Sequence, residues 1–276
     1  MCRIPTDTRP RGRPRRGRSR HGLSLVELLM ASAVMVLVAG TLGTLAMTAQ
    51  MTAEYGHGHG LATQHARVCL DRIERTLHEA TASEDFPGFI ALGDSSGSWH
   101  FPDTLVVWHP DGAAADPDGL PRFNELVIFC PDPNEPAQLL EITVPDDAGV
   151  AYAASDTAAW QAAAASIKAD NSARRVVLTD LLRTAAADDG VERACLRFHI
   201  LVRPAPSQWA DYQGGAVAWD EIDWVQDIYG TKTGLRQAWC RFEMQLLPRS
   251  HDGKPVSDEL ALPLFGSAAI YDELYQ

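Results

Sequence analysis

From Leu28 to Ala53 the chain carries no charged residue. An apolar run of that length can span a bilayer as a helix, which needs roughly 20 residues. The pattern then breaks at Tyr55-Gly56-His57-Gly58-His59-Gly60. Each glycine costs a helix about 1 kcal/mol relative to alanine, so this stretch predicts a kink or a loosened polar hinge. From Leu61 a helical period resumes, with Leu61, Ala62, His65, Ala66, Cys69, Ile73, Leu77 and Ala80 recurring at three and four. Arg67, Asp71, Arg72, Glu74, Arg75 and Glu79 fill the opposite side, so this segment should lay an apolar stripe on a sheet. Beyond about Ser83 short β runs take over: Thr104–Trp108, Leu126–Cys130, Leu139–Val144, Arg175–Leu178, Ala194–Val202 and Ala238–Leu246. The segments at Leu196–Ile200 and Trp239–Met244 alternate as strands with one wet face do. The alanine-rich stretch Asp156–Ala169 predicts a short surface helix, and the loops around Asp116-Pro117-Asp118-Gly119 and Pro131-Asp132-Pro133-Asn134 predict turns. No internal repeat is visible. The expected class is α+β, one long N-terminal helix followed by an antiparallel sheet body. The expected segments are residues 1–22, 23–53, 54–82 and 83–276.

Charge sharpens the picture at the N-terminus. The chain has 276 residues and a net charge of −12. Residues 1–22 hold eight arginines against the single acid Asp7, so the remaining 16 basic and 35 acidic residues leave −19 on residues 23–276. An acidic body lacks the basic stripe that neutralises phosphates, which argues against nucleic-acid binding by the main domain. Arginines before the apolar run and none just after it place the N-terminus in the cytoplasm by the positive-inside rule. The body is then expected outside the inner membrane, on a single-pass helix.

Glu27 is the anomaly in this helix. A carboxylate at bilayer depth costs about 2.5–3.5 kcal/mol on insertion scales, and it normally has a partner or a function. Snorkelling to the headgroups is the alternative reading of Glu27 taken alone. Gly22-Leu23-Ser24-Leu25-Val26-Glu27, behind the basic leader, resembles the processing site of type IV prepilins and type II secretion pseudopilins, whose pattern is G-F-[ST]-L-[IV]-E. Leu23 stands where that family usually has Phe. The resemblance implies cleavage after Gly22 by prepilin peptidase, N-methylation of Leu23, and a pilin-like fold in which the second half of the long helix packs on the sheet. It implies that Glu27 pairs with the Leu23 amine of a neighbouring subunit, which sets axial register as buried polar groups do in coiled coils. Ala31, Ser32, Ala33, Ala39, Gly40 and Gly43 would let such helices approach closely. The body, large for a major pilin, implies a minor subunit; the run from Leu196 through Trp209 to Trp239 and Pro248 resembles the J-type minor pseudopilin and the W-type minor pilin. The partners implied are prepilin peptidase, other pilin or pseudopilin subunits, and inner-membrane lipid, with no cofactor and no catalytic or metal residue. An ordinary signal peptide is the competing reading of the segment, from Ala31-Ser32-Ala33 and Arg15-Arg16. The apolar region before Ala31 is too short for it and is interrupted by Glu27.

Other candidate chemistry weighs less. Gly93-Asp94-Ser95-Ser96-Gly97 matches G-x-S-x-G, yet the residues after it read as a strand where a nucleophile elbow needs a helix, so a turn is the better reading. Asp220, Glu221, Asp223 and Asp227 are the densest acidic cluster, without the spacing of a calcium loop, and read as a solvated acidic loop. The nearby Trp209, Tyr212, Trp219, Trp224 and Tyr229 read as local packing ahead of a contact patch. His57 and His59, two residues apart, point to different helix faces and make no metal site. Of Cys69, Cys130, Cys195 and Cys240, the pair Cys195 and Cys240 is the candidate disulfide outside the inner membrane. The expected function is therefore non-enzymatic assembly, with a signal-anchored extracytoplasmic binding domain or hydrolase as the alternative.

Overall fold

The computed structural model describes residues 22, 24–96, 99–222, 235–249 and 261–273. One helix, α1 (Leu25–His78), opens the chain. The fold divides into two units within it, one up to Thr52 and one from Ala53 onward. In the first unit every described residue of α1 is exposed.

In the second unit, Ala62, Ala66, Cys69, Ile73 and Leu77 form the buried stripe of α1 that the helical period predicts. At residues 55–60, where the sequence predicts a kink or a loosened hinge, α1 continues as helix. Once a helix is nucleated, propagation adds one hydrogen bond per residue and tolerates isolated glycines. Gly58 has a further reason to be glycine, since a Cβ there would lie 2.5 Å from the carbonyl oxygen of Arg249.

Ten strands follow. β1 (Phe89–Ser96), β2 (Trp99–Trp108), β3 (Leu126–Pro131), β4 (Leu139–Thr143) and β5 (Arg174–Thr179) form an antiparallel sheet in sequence order. A small hairpin, β6 (Thr184–Ala186) and β7 (Glu192–Ala194), leads to a second antiparallel sheet of β8 (Leu196–Arg203), β9 (Leu235–Leu246) and β10 (Leu262–Glu273), with β9 central. All six expected strand segments lie in these elements, with the Ala194–Val202 segment broken at Cys195 between β7 and β8. The body also contains β1, β6 and β10, one in each sheet, which the periodicity did not predict. Helix α2 (Thr157–Ala169), capped by Asp156 accepting from Ala159 N at 3.1 Å, lies between β4 and β5 in sequence. It is more than a surface helix, because Trp160 and Ala164 are buried. A short α3 (Pro206–Gln213) starts on a proline, as helices favour at their first turn.

Two apolar clusters hold the body. The first joins the α1 stripe to Phe89, Leu105, Val107, Phe129 and Leu139 of the first sheet and to Phe198, Cys240, Phe242 and Met244 of the second. The other face of the first sheet, including Val106, Trp108, Ile128 and Ile142, packs with Phe86 and with Trp160 and Ala164 of α2. The first sheet is thus covered on both faces, which is why β3 reads as an unbroken apolar run.

Candidate functional site

The start of α1 is built by two side chains. Ser24 is the N-cap: its Oγ accepts from Glu27 N at 3.2 Å, and Leu28 N bonds back to Ser24 O at 3.1 Å. Glu27 closes the loop, its Oε2 accepting from Ser24 N at 3.0 Å and Ser24 Oγ at 3.2 Å. This is a capping box, in which two otherwise unpaired backbone donors are satisfied reciprocally. Both bonds to the carboxylate fall on Oε2, on a side chain that is exposed. The N-cap serine is the residue that the sequence reading passed over, although Ser-x-x-Glu before an apolar run is its recognised signal. Gly22 is exposed with open space where a Cβ would stand, and Leu23 lies outside the described residues.

Behind the box, Leu25, Val26, Leu28, Leu29, Met30, Val34 and their successors present apolar side chains on every side of the helix. An 18-residue window has a mean hydropathy of 2.2 with none of it buried. A helix of this length and composition is long and apolar enough to cross a membrane.

The second half of α1 is fastened to the body by its polar side as well as its apolar stripe. Arg72 donates Nε to Glu141 Oε2 at 2.7 Å and Nη2 to Oε1 at 2.5 Å, a bidentate pair onto β4. That bond holds the Arg72 pKa above its ordinary value. His65 Nδ1 lies 3.0 Å from Thr179 Oγ1 of β5, Glu79 pairs with His109 at 3.0 Å, and Glu74 accepts from Ser267 N of β10 at 3.3 Å. A long apolar helix whose distal half packs on an antiparallel sheet body is the plan of a pilin. The architecture is pilin-like. The chain matches no family model, no curated protein and no solved structure.

The remaining candidates resolve into structure. Gly93-Asp94-Ser95-Ser96 belongs to β1, correcting the expected turn, and Gly97 lies outside the described residues. A Cβ on Gly93 would stand 1.9 Å from Phe101 O, at the bulge between Leu92 and Asp94, so this glycine serves a strand irregularity. Ser95 Oγ lies 3.3 Å from Nδ1 of its cross-strand partner His100. Both residues are exposed, and no carboxylate is hydrogen-bonded to that imidazole among the described residues.

Trp209 and Trp219 are buried against each other and Tyr212, edge-to-face at 6.2 Å, as local packing predicts. Arg236, buried at the start of β9, stacks 4.7 Å over Trp209 and donates Nη1 to Ser83 O and Glu84 O, tying the end of the α1 segment to the second sheet. Burial draws its pKa below the ordinary value. Asp223, Trp224, Asp227 and Tyr229 lie outside the described residues. The candidate disulfide is not formed: Cys240 sits mid-strand opposite Ile200 and Ala268, while Cys195 precedes β8. In an antiparallel ladder a residue bridges its opposite partner, and five positions separate Cys195 from that partner.

Proposed function

We propose that this chain is a minor pilin or pseudopilin subunit, inserted in the inner membrane with its N-terminus cytoplasmic, processed after Gly22, and assembled into a type IV pilus or type II secretion pseudopilus. The observation that carries the reading is the first turn of α1. A glycine, a capped helix start and a glutamate stand in the order of the prepilin pattern, at the start of a helix whose apolar side chains are exposed. Cleavage would expose an ammonium at Leu23, and in apolar surroundings that charge needs a counter-ion. Glu27 is the counter-ion across a subunit boundary on this reading: its Oε2 takes part in the capping box, and its charge is the one that would pair with the neighbour's amine. The role is assembly, without catalysis, and the body engages sibling subunits.

The test is the N-terminal peptide of the protein isolated from membranes, read by mass spectrometry. A peptide that starts at Leu23 and carries one added methyl group supports the reading. A start at Val34, or an intact leader, overturns it and makes the chain a signal-anchored extracytoplasmic domain.

A further inference from the structure

An open strand edge, with its unpaired N–H and C=O groups, is a template for pairing with another chain. Folds guard such edges with charge, proline, shortness or a bulge. Among the described residues the edges of the two large sheets are guarded unequally. β5 is six residues long, carries Arg174 and Arg175, and meets β4 through a register shift. β1 is bent by the bulge between Leu92 and Asp94. β10 pairs with β9 over twelve residues without a shift, and residues 262–271 hold no charge.

Register fixes which groups of β10 point outward. Gln245 N bonds to Cys195 O, so the odd-numbered residues of β9 bond toward β8 and the even-numbered ones toward β10. Phe265, Ser267, Ala269 and Tyr271 lie opposite odd-numbered residues of β9, so their N–H and C=O groups point away from it. Phe265 and Tyr271 are also 69% and 61% exposed. The N–H of Ser267, midway along this edge, is taken by α1: Glu74 accepts it through Oε1 at 3.3 Å. An incoming strand would have to displace that carboxylate or strip it of water, and burying an unpaired charge is costly.

We propose that Glu74 is an autoinhibitory contact that keeps β10 from pairing with the β10 of a second copy. The strand is self-complementary. In an antiparallel pair centred on Ala268, Phe265 of one copy stands opposite Tyr271 of the other, twice by symmetry, and Ser267 stands opposite Ala269. Cross-strand aromatic pairs are favourable. The small residues Gly266, Ser267, Ala268 and Ala269 occupy the centre, and Pro263, with no N–H to give, falls at the end of the ladder. The acidic positions Asp272 and Glu273 of the two copies lie at opposite ends of the pair. The contact is isologous and would merge two three-stranded sheets into one. It goes beyond the assembly reading and does not depend on cleavage.

The experiment uses the full-length chain in detergent micelles. Nitrogen-15-labelled copies are mixed with unlabelled copies in which the photo-crosslinking residue p-benzoylphenylalanine replaces Phe265, and mixed-isotope adducts are located by tandem mass spectrometry. Adducts to residues 269–273 should be about tenfold more abundant with Glu74→Ala in both copies than with Glu74 intact. Glu74→Gln keeps an acceptor for Ser267 N and removes the charge, so its yield should lie between the two; it also carries the test if the alanine variant loses its thermal transition. Ala269→Pro removes an outward N–H without touching the bonds to β9. Added to either Glu74 variant, it should return the yield to the level seen with Glu74 intact. The proposal is overturned if neither Glu74 variant raises the yield, if the adducts fall at residue 265 or at residues 24–53 instead, or if Ala269→Pro leaves the yield unchanged. The N-terminal peptide reads the processing step separately, so either idea can fail alone.

Discussion

At the scale of single residues, Glu27 has two separable jobs, and substitutions divide them. Glutamine keeps a capping-box side chain and removes the charge, whereas Ser24→Ala removes the cap at a cost of about 1 kcal/mol and leaves the carboxylate. On the assembly reading, Glu27→Gln abolishes incorporation into filaments while membrane insertion persists, and Ser24→Ala leaves incorporation largely intact. Shear-fraction and membrane-fraction immunoblots check both. The thiols give a second prediction. Burial pushes Cys69 up to about 12 and Cys130 up to about 11, and raises Cys240 further, whereas Cys195 is half-buried. Alkylation of the native protein at pH 8, followed by peptide mass spectrometry, should label Cys195 first and spare the other three. The native state keeps protons on these thiols that the unfolded chain releases from about pH 9. Stability is therefore flat below that value on their account and falls as the pH climbs from 9 toward 12. The buried stripe of α1, Ala62 to Leu77, was legible in the sequence because its period is local. The Arg72–Glu141 pair was not, since its partners are far apart in the chain and only the packing of α1 on β4 brings them together.

At the scale of elements, two glycines in the same helical turn behave oppositely. A Cβ on Gly56 would meet nothing within 4 Å, whereas one on Gly58 would meet backbone. Gly56→Ala should raise stability by up to about 1 kcal/mol. Gly58→Ala gains the same helix propensity but drives a methyl into the Arg249 carbonyl, an overpacking cost of about 1–3 kcal/mol, so the net sign is destabilising. Thermal melts of the two variants should move in opposite directions. Glycine also hid two strands from the periodicity. β1 contains Gly93 at its bulge, and β10 contains Gly266, over which the ring of the opposite residue Phe242 lies so closely that a Cβ would stand 2.3 Å from it. In both places a residue that reads as a turn signal fills a tight spot inside a sheet. The strands that were legible, β3 above all, are apolar runs whose character does not depend on one position.

At the scale of the whole chain, both body clusters draw their buried residues from Ala62 onward. A chain beginning at Ala53 should therefore fold, remain in solution without detergent, and melt cooperatively. Circular dichroism with a thermal scan checks this, and a chain that aggregates or melts without a transition would show that the apolar half of α1 is needed for the body to form. Sequence alone determined the apolar helix, the run of arginines before it, the amphipathic second half and the α+β class, because each is written in nearest neighbours or in a period along one element. Tertiary structure decided the rest. It set the backbone of Arg249 against Gly58, turned Arg72, His65 and Glu74 of α1 into clasps on β4, β5 and β10, and kept Cys195 and Cys240 apart. Each of these depends on which distant residues meet, and contacts between distant residues follow from strand register and sheet order, which no local pattern carries.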